Sequence, residues 1–226
     1  MKSCLLLMLL LAPTASGCAS AEPKRPAAPG PPLAGEIRRL MSEHGVVGMA
    51  VAVVRSGRVA QVGTFGYRNL ERQLPLTPDT VLYGASLTKA AFAYMVLQLV
   101  DEGRLSLDTS IAALLPRPLP EYEEFRDLAG DDRWKGLTPR ILLTHTSGLA
   151  NFRWLEDDGR LQFHFAPGSR YGYSGEGFYI LQLALEEGLG LDVGVEMQRR
   201  VFDRFGMAST SMTWRPAFAE NLADGY

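Results

Sequence analysis

Three side chains stand out because their types and spacing could do chemistry: Ser86, Lys89 and a tyrosine of the Tyr171/Tyr173 pair. Ser86 and Lys89 form the only S-x-x-K in the chain, and residues three apart on a helix share a face. Ser86 opens the run SLTKAAFAYMVLQLV, in which Lys89 is the sole charge. Burial among apolar residues disfavours an ammonium, and an uncharged amine beside a hydroxyl can take its proton and create a nucleophile. A helix entrance also favours an oxygen that carries negative charge, through its free N–H groups and the positive end of the dipole. The plainer alternative is a chance S-x-x-K with a lysine reaching outward to solvent.

Two further stretches carry ionisable groups. The loop PGSRYGYSGEG at 167–177 bears two tyrosines. One of them could relay protons if nearby cations lower its pKa from about 10; otherwise it packs, with its hydroxyl satisfied nearby. His145 lies in LLTHTSGL at 142–149. It invites a role as general base, although a histidine at such a helix end is more commonly a hydrogen-bonded structural residue.

The elements that must position these residues follow from periodicity and punctuation. Apolar residues on every side of 86–100 predict a helix buried all round, with Asp101-Glu102-Gly103 as its stop. Glu36 to His44 reads as a short amphipathic helix ending at Gly45. Gly48 to Val54 reads as a buried strand, Arg55 to Arg58 as a hairpin turn and Val59 to Tyr67 as a second strand. Asn69 to Asp79 reads as loop. Asp108 suits the cap of a short helix through Leu114. Thr138 with Pro139 predicts another helix start. Apolar helices follow at Phe178–Glu187, ending at Gly188, and at Val193–Phe205, ending at Gly206. No confident strand and no repeat occur from residue 86 onward. The fold class is therefore α+β: an antiparallel sheet region followed by an all-helical region.

The N-terminus reads as an address. A lysine at position 2 and a short apolar run from Cys4 to Ala12, then small residues, predict a secretory signal over 1–21. Two cleavage sites compete: a lipoprotein-like box before Cys18, with Cys18 as the lipidation site, and ordinary cleavage after Ala21. Residues 22–35 read as a Pro/Ala-rich tether, and 36–226 as the folded domain. The expected location is periplasmic or on a membrane as a lipoprotein, with membrane contact only through the leader or the lipid. Both cysteines lie in the first 18 residues, so no disulfide serves the domain, which must rest on its core. The formal net charge of −2 and the lack of a basic run argue against nucleic acid as a partner.

Ser86-Leu87-Thr88-Lys89, LLTHTSGL at 142–149, PGSRYGYSG at 167–175 and FDRFGM at 202–207, in that order, resemble the serine β-lactamase and penicillin-binding-protein superfamily. The nearest branch is the β-lactamase-related group with class C enzymes, D,D-peptidases and esterases. The resemblance covers Glu36 to Tyr226. It implies that Ser86 is acylated, that Lys89 and Tyr173 handle protons, and that LLTHTSGL is structural. It implies no metal or organic cofactor, and a small ester, amide or peptide substrate. Two departures matter. The Y-x-N motif reads Tyr173-Ser174-Gly175, so its amide is absent, which points away from β-lactams and peptides and towards esters. No K/H-x-G strand follows before Asp224-Gly225-Tyr226, so roughly the last third of the domain is expected to be missing and the 226-residue chain to be catalytically incompetent.

The resulting expectation is a secreted serine hydrolase working through an acyl-enzyme on Ser86. The alternatives are a true β-lactamase or D,D-peptidase, and a non-catalytic envelope module that keeps the fold as a binding surface. A Ser-His-Asp hydrolase is a further alternative, but the chain contains no G-x-S-x-G elbow.

Overall fold

A computed structural model of the chain describes residues 26–225. The leader, Cys18 and the first residues of the tether lie outside the described residues. The chain divides into two compact units, one ending at Pro78 and one beginning at Asp79.

In the first unit, helix α1 spans Pro31–His44 and is followed by strands β1 (Gly48–Arg55), β2 (Arg58–Asn69) and β3 (Leu74–Pro75). The strands form one antiparallel sheet in the order β1-β2-β3. Helix α1 begins five residues earlier than the sequence suggested and takes in the end of the proline-rich stretch. Proline suits a first helical turn, where the missing N–H has no intrahelical acceptor to lose. The helix stops at Gly45 as expected, in the left-handed conformation. Strand β1 is half-buried rather than fully buried. Met49 and Val51 pack against the α1 residues Ala34, Ile37 and Met41 together with Phe65, whereas Ala50, Ala52 and Val54 on the other face are exposed. The short β3 falls in the stretch read as loop. A two-residue pairing has too little periodicity to announce itself in sequence.

The second unit is helical, and among the described residues it holds no strand beyond isolated bridges. Its helices are α2 (Leu87–Asp101), α3 (Pro139–Leu143), α4 (Glu176–Leu189) and α5 (Val193–Met197). They enclose a core that includes Met95, Leu99, Ile111, Leu137, Leu142, Leu181, Leu185 and Met197, all essentially without solvent contact. Thr138 caps α3 as expected, its hydroxyl accepting the Ile141 N–H at 3.3 Å. Asp108 is not a cap. Ser110 caps the short 3-10 turn at Ile111–Ala113, and Asp108 instead takes the Arg140 guanidinium through two bonds of 2.7 and 2.8 Å. Helix α4 ends at Gly190 rather than Gly188. Gly188 lies inside it for a packing reason, because a Cβ there would stand 2.6 Å from the Leu114 carbonyl oxygen. After α5 the chain widens into a π turn at Gln198–Phe202, where the sequence suggested a continuous helix. No described helix is long and apolar enough to cross a membrane.

Helix α2 is not enclosed on all sides. Phe92, Met95, Val96 and Leu99 form its buried stripe, while Leu87 is 83% exposed and Leu97 48% exposed. Uniform apolarity cannot show which side of a helix meets the core, and here one side does.

Candidate active site

The chain turns sharply into α2. Ala85 has φ of 43°, a left-handed conformation that a residue with a Cβ adopts only at a cost of about 1–3 kcal/mol. The N–H groups of Leu87, Thr88 and Lys89 are closed onto the carbonyls of Gly84, Ala85 and Ser86 at 3.0, 3.1 and 3.2 Å. The Ser86 hydroxyl therefore makes no cap bond and stays exposed. Lys89, one turn on, donates from Nζ to Ser86 Oγ at 3.2 Å.

Tyr173 comes to the same place from the glycine-rich loop before α4. Its hydroxyl pKa is lowered from the usual tyrosine value by hydrogen bonding to Ser86, then by hydrogen bonding to Lys89, with the lysine charge acting in the same direction. Burial opposes this. Lys89 Nζ also lies 5.2 Å from the centre of the Tyr173 ring and 5.6 Å from that of Phe178, within the range of cation–π attraction. Nucleophile candidate, amine and phenol thus converge from two elements some 85 residues apart in sequence, which spacing alone cannot show.

His145 is the seat of this tyrosine. Its ring stacks on Tyr173 with centroids 4.3 Å apart and 30° between planes, and it lies 5.2 Å from Phe178. Nδ1 accepts the Ser174 backbone N–H at 3.1 Å, so a neutral ring suits the site. Burial, first, and the Lys89 charge lower the pKa of His145, while the Ser174 carbonyl, 3.2 Å from the same Nδ1, pulls the other way. The residue has φ of 57°, and its carbonyl accepts the Gly172 N–H at 2.8 Å. His145 thus fixes the loop from both ends of its own residue, in line with the structural reading of LLTHTSGL.

Two other serines of the quoted motifs, Ser174 and Ser147, are committed elsewhere. Ser174 is fully buried; its hydroxyl donates to the Ala150 carbonyl and accepts the Gly177 N–H, both at 2.9 Å. Ser147 is fully buried and accepts the Leu149 N–H at 3.2 Å.

Beside Tyr173 the loop is tied to the segment Asn151–Leu155. The Asn151 carbonyl accepts N–H bonds from Gly175 at 3.0 Å and Glu176 at 3.1 Å. A Cβ on Gly175 would stand 2.6 Å from that carbonyl oxygen, 3.0 Å from Asn151 Oδ1 and 3.1 Å from the Phe152 ring. The space beside Tyr173 that a side chain at 175 would need is already filled. The Glu176 carboxylate is 1% exposed and receives three bonds from Arg153: from the backbone N–H at 2.9 Å, Nε at 3.1 Å and Nη2 at 2.7 Å. The other guanidinium nitrogen donates to the Glu124 carbonyl.

Sequence reasoning missed Phe178, Asn151 and the Arg153–Glu176 pair. Phe178 lay in the quoted stretches as an ordinary helix residue and Glu176 as part of the glycine-rich loop, and only the arrival of Lys89 and Arg153 from distant segments gives them a task. Among the described residues no group of three or more His, Cys, Asp or Glu side chains could hold a metal ion.

Known proteins bear on this geometry. The chain is 27% identical over 170 residues to a D-aminopeptidase of Gluconobacter oxydans, covering 71% of this chain and 31% of that protein. It is 26% identical over 186 residues to a D-aminopeptidase of Brucella anthropi, covering 78% of this chain and 35% of that protein. The chain therefore spans about a third of the length of these curated relatives. A solved structure of a D-alanine carboxypeptidase from Burkholderia cenocepacia superposes with a TM-score of 0.68 at 24% identity, over 86% of this chain and 53% of that one. It shares the β-lactamase/transpeptidase-like fold. The model of the family described as Beta-lactamase matches residues 33–226. With most of its length inside that match, the chain belongs to the β-lactamase family.

Proposed function

We propose that the protein is a serine hydrolase that works through an acyl-enzyme on Ser86. The observation that carries this reading is the convergence of an exposed, uncapped Ser86 hydroxyl with Lys89 Nζ at 3.2 Å and a Tyr173 hydroxyl of lowered pKa. Tyr173 takes the serine proton while Ser86 Oγ bonds to the substrate carbonyl carbon. The Lys89 amine, donating to the same oxygen, stabilises negative charge on the phenol and serine oxygens. As the bond to the leaving group breaks, the proton passes from Tyr173 to that group. Water then attacks the acyl carbon by the reverse proton path and frees Ser86.

Esters are the favoured substrates. The loop offers no amide side chain at 175, and a site lacking a hydrogen-bonding group discriminates poorly in favour of substrates that need one. A second reading is cleavage of peptides bearing D-residues, which the names of the two aminopeptidase relatives support. Export, with the domain held at a membrane through Cys18, completes the proposal.

The test is covalent labelling of the whole protein with a fluorophosphonate, followed by peptide mapping. The label is expected on Ser86 and is expected to vanish in Ser86→Ala. Labelling of another residue, or none, overturns the reading.

A further inference from the structure

The segment 151–155 presents an aromatic pair that the proposed reaction leaves unused. Phe152 and Trp154 stack with centroids 4.2 Å apart and planes within 10°. Trp154 is nevertheless 65% exposed. Arg153, the residue between them in sequence, is held by the buried Glu176 carboxylate and by the Glu124 carbonyl. Asn151, just before them, is bonded to the N–H groups of Gly175 and Glu176. An ion pair to a buried carboxylate thus fixes a short 3-10 turn that carries the two stacked rings.

The position of those rings is the second observation. The Phe152 ring edge lies 3.1 Å from where a Cβ of Gly175 would stand, and Gly175 is two residues from Tyr173. The exposed Tyr171 lies two residues on the other side of Tyr173, its ring 6.0 Å from that of His145. The loop bearing the proton-relay candidate is thus flanked by aromatic surface on both sides.

We propose that the stacked Phe152–Trp154 pair is a substrate-binding wall that takes an aromatic or extended apolar acyl group. This rests on the serine-hydrolase reading of Ser86. Rigid stacked rings bind flat apolar groups at little entropic cost, since nothing has to be ordered on binding. The missing side chain at 175 then has a positive role, because it lets Phe152 approach the tyrosine loop.

The experiment compares phenylacetyl and acetyl esters of the same leaving alcohol on the whole protein. Trp154→Ala should lower the ratio of kcat/KM for phenylacetyl over acetyl about 10-fold, the size expected for part of an apolar pocket, and Trp154→Tyr should restore most of it. The change should fall in KM rather than kcat. An unchanged ratio, or equal loss for both esters, overturns the proposal. A second measurement does not depend on turnover. In Ser86→Ala protein, the indole N–H resonance that disappears in Trp154→Phe should shift saturably with the phenylacetyl ester and not with the acetyl ester. A shift in protein whose wild type neither labels nor turns over leaves the wall standing and removes the hydrolase reading. Turnover at Ser86 with no shift does the opposite.

Discussion

Replacing Gly175 with alanine separates two explanations of that glycine. Its φ of −78° and ψ of −37° are ordinary helical values, so no left-handed strain attends a side chain there. If the glycine were merely tolerated, alanine would stabilise by about 0.4–1 kcal/mol through the unfolded chain. The packing predicts the reverse. The new Cβ would meet the Asn151 carbonyl oxygen at 2.6 Å, and that oxygen belongs to backbone held by two N–H bonds of 3.0 and 3.1 Å. Phe152, at 3.1 Å, is itself stacked on Trp154 and cannot simply swing away. Overpacking costs roughly 1–3 kcal/mol, and stretching two backbone bonds adds up to about 1 kcal/mol each. Set against the alanine gain, the sum spans about 0–5 kcal/mol of net loss and centres on about 2–3 kcal/mol. For a chain of 226 residues this lowers the thermal midpoint by about 5–10 °C. Gly175→Asn, which would complete a Y-x-N motif, should be at least as destabilising and should not raise cephalosporin hydrolysis. Circular dichroism melts of the three proteins decide the matter. A midpoint for Gly175→Ala equal to or above that of the parent would refute the steric argument.

Three other outcomes are expected. Tyr173→Phe should fold normally but lose about 10²–10⁴ in turnover. The parent kcat/KM should rise with pH through a limb below the usual tyrosine value of about 10, since the lowered pKa of Tyr173 makes its base form available there, and the variant should lack that limb. His145 has a lowered pKa in the folded state, so the unfolded chain binds its proton more readily. Its contribution to stability should be complete above about pH 6.5 and decline as pH falls through the lowered folded value. Urea melts at several pH values should show this in the parent and not in His145→Gln, and a parallel acid loss in both would dismiss it. At the N-terminus, intact-mass analysis should find a diacylglyceryl or fully acylated Cys18, whereas an unmodified Glu22 start would exclude the lipoprotein route.

What the sequence determined by itself was local and periodic. Ser86 and Lys89 on one helical face, the cap at Thr138, the stop of α1 at Gly45 and the β1–β2 hairpin all depend on residues a few positions apart. Such signals survive in a linear string because they arise from backbone hydrogen bonding and from side-chain direction along one element. The four motifs in order also carried the family. Tertiary structure decided everything that depends on one segment meeting another. Asp108 suits a cap on local grounds, but Arg140 of helix α3, 32 residues on, claims its carboxylate. Gly188 reads as a helix stop, but the Leu114 carbonyl excludes a side chain there while α4 runs on to Gly190. Helix α2 is apolar on every side, and only packing distinguished its buried stripe from the exposed Leu87 and Leu97. The same holds at the site. The lowered pKa of Tyr173 requires Ser86 and Lys89 within reach, and the absence of a side chain at Gly175 has its reason in Asn151, 24 residues earlier in the chain.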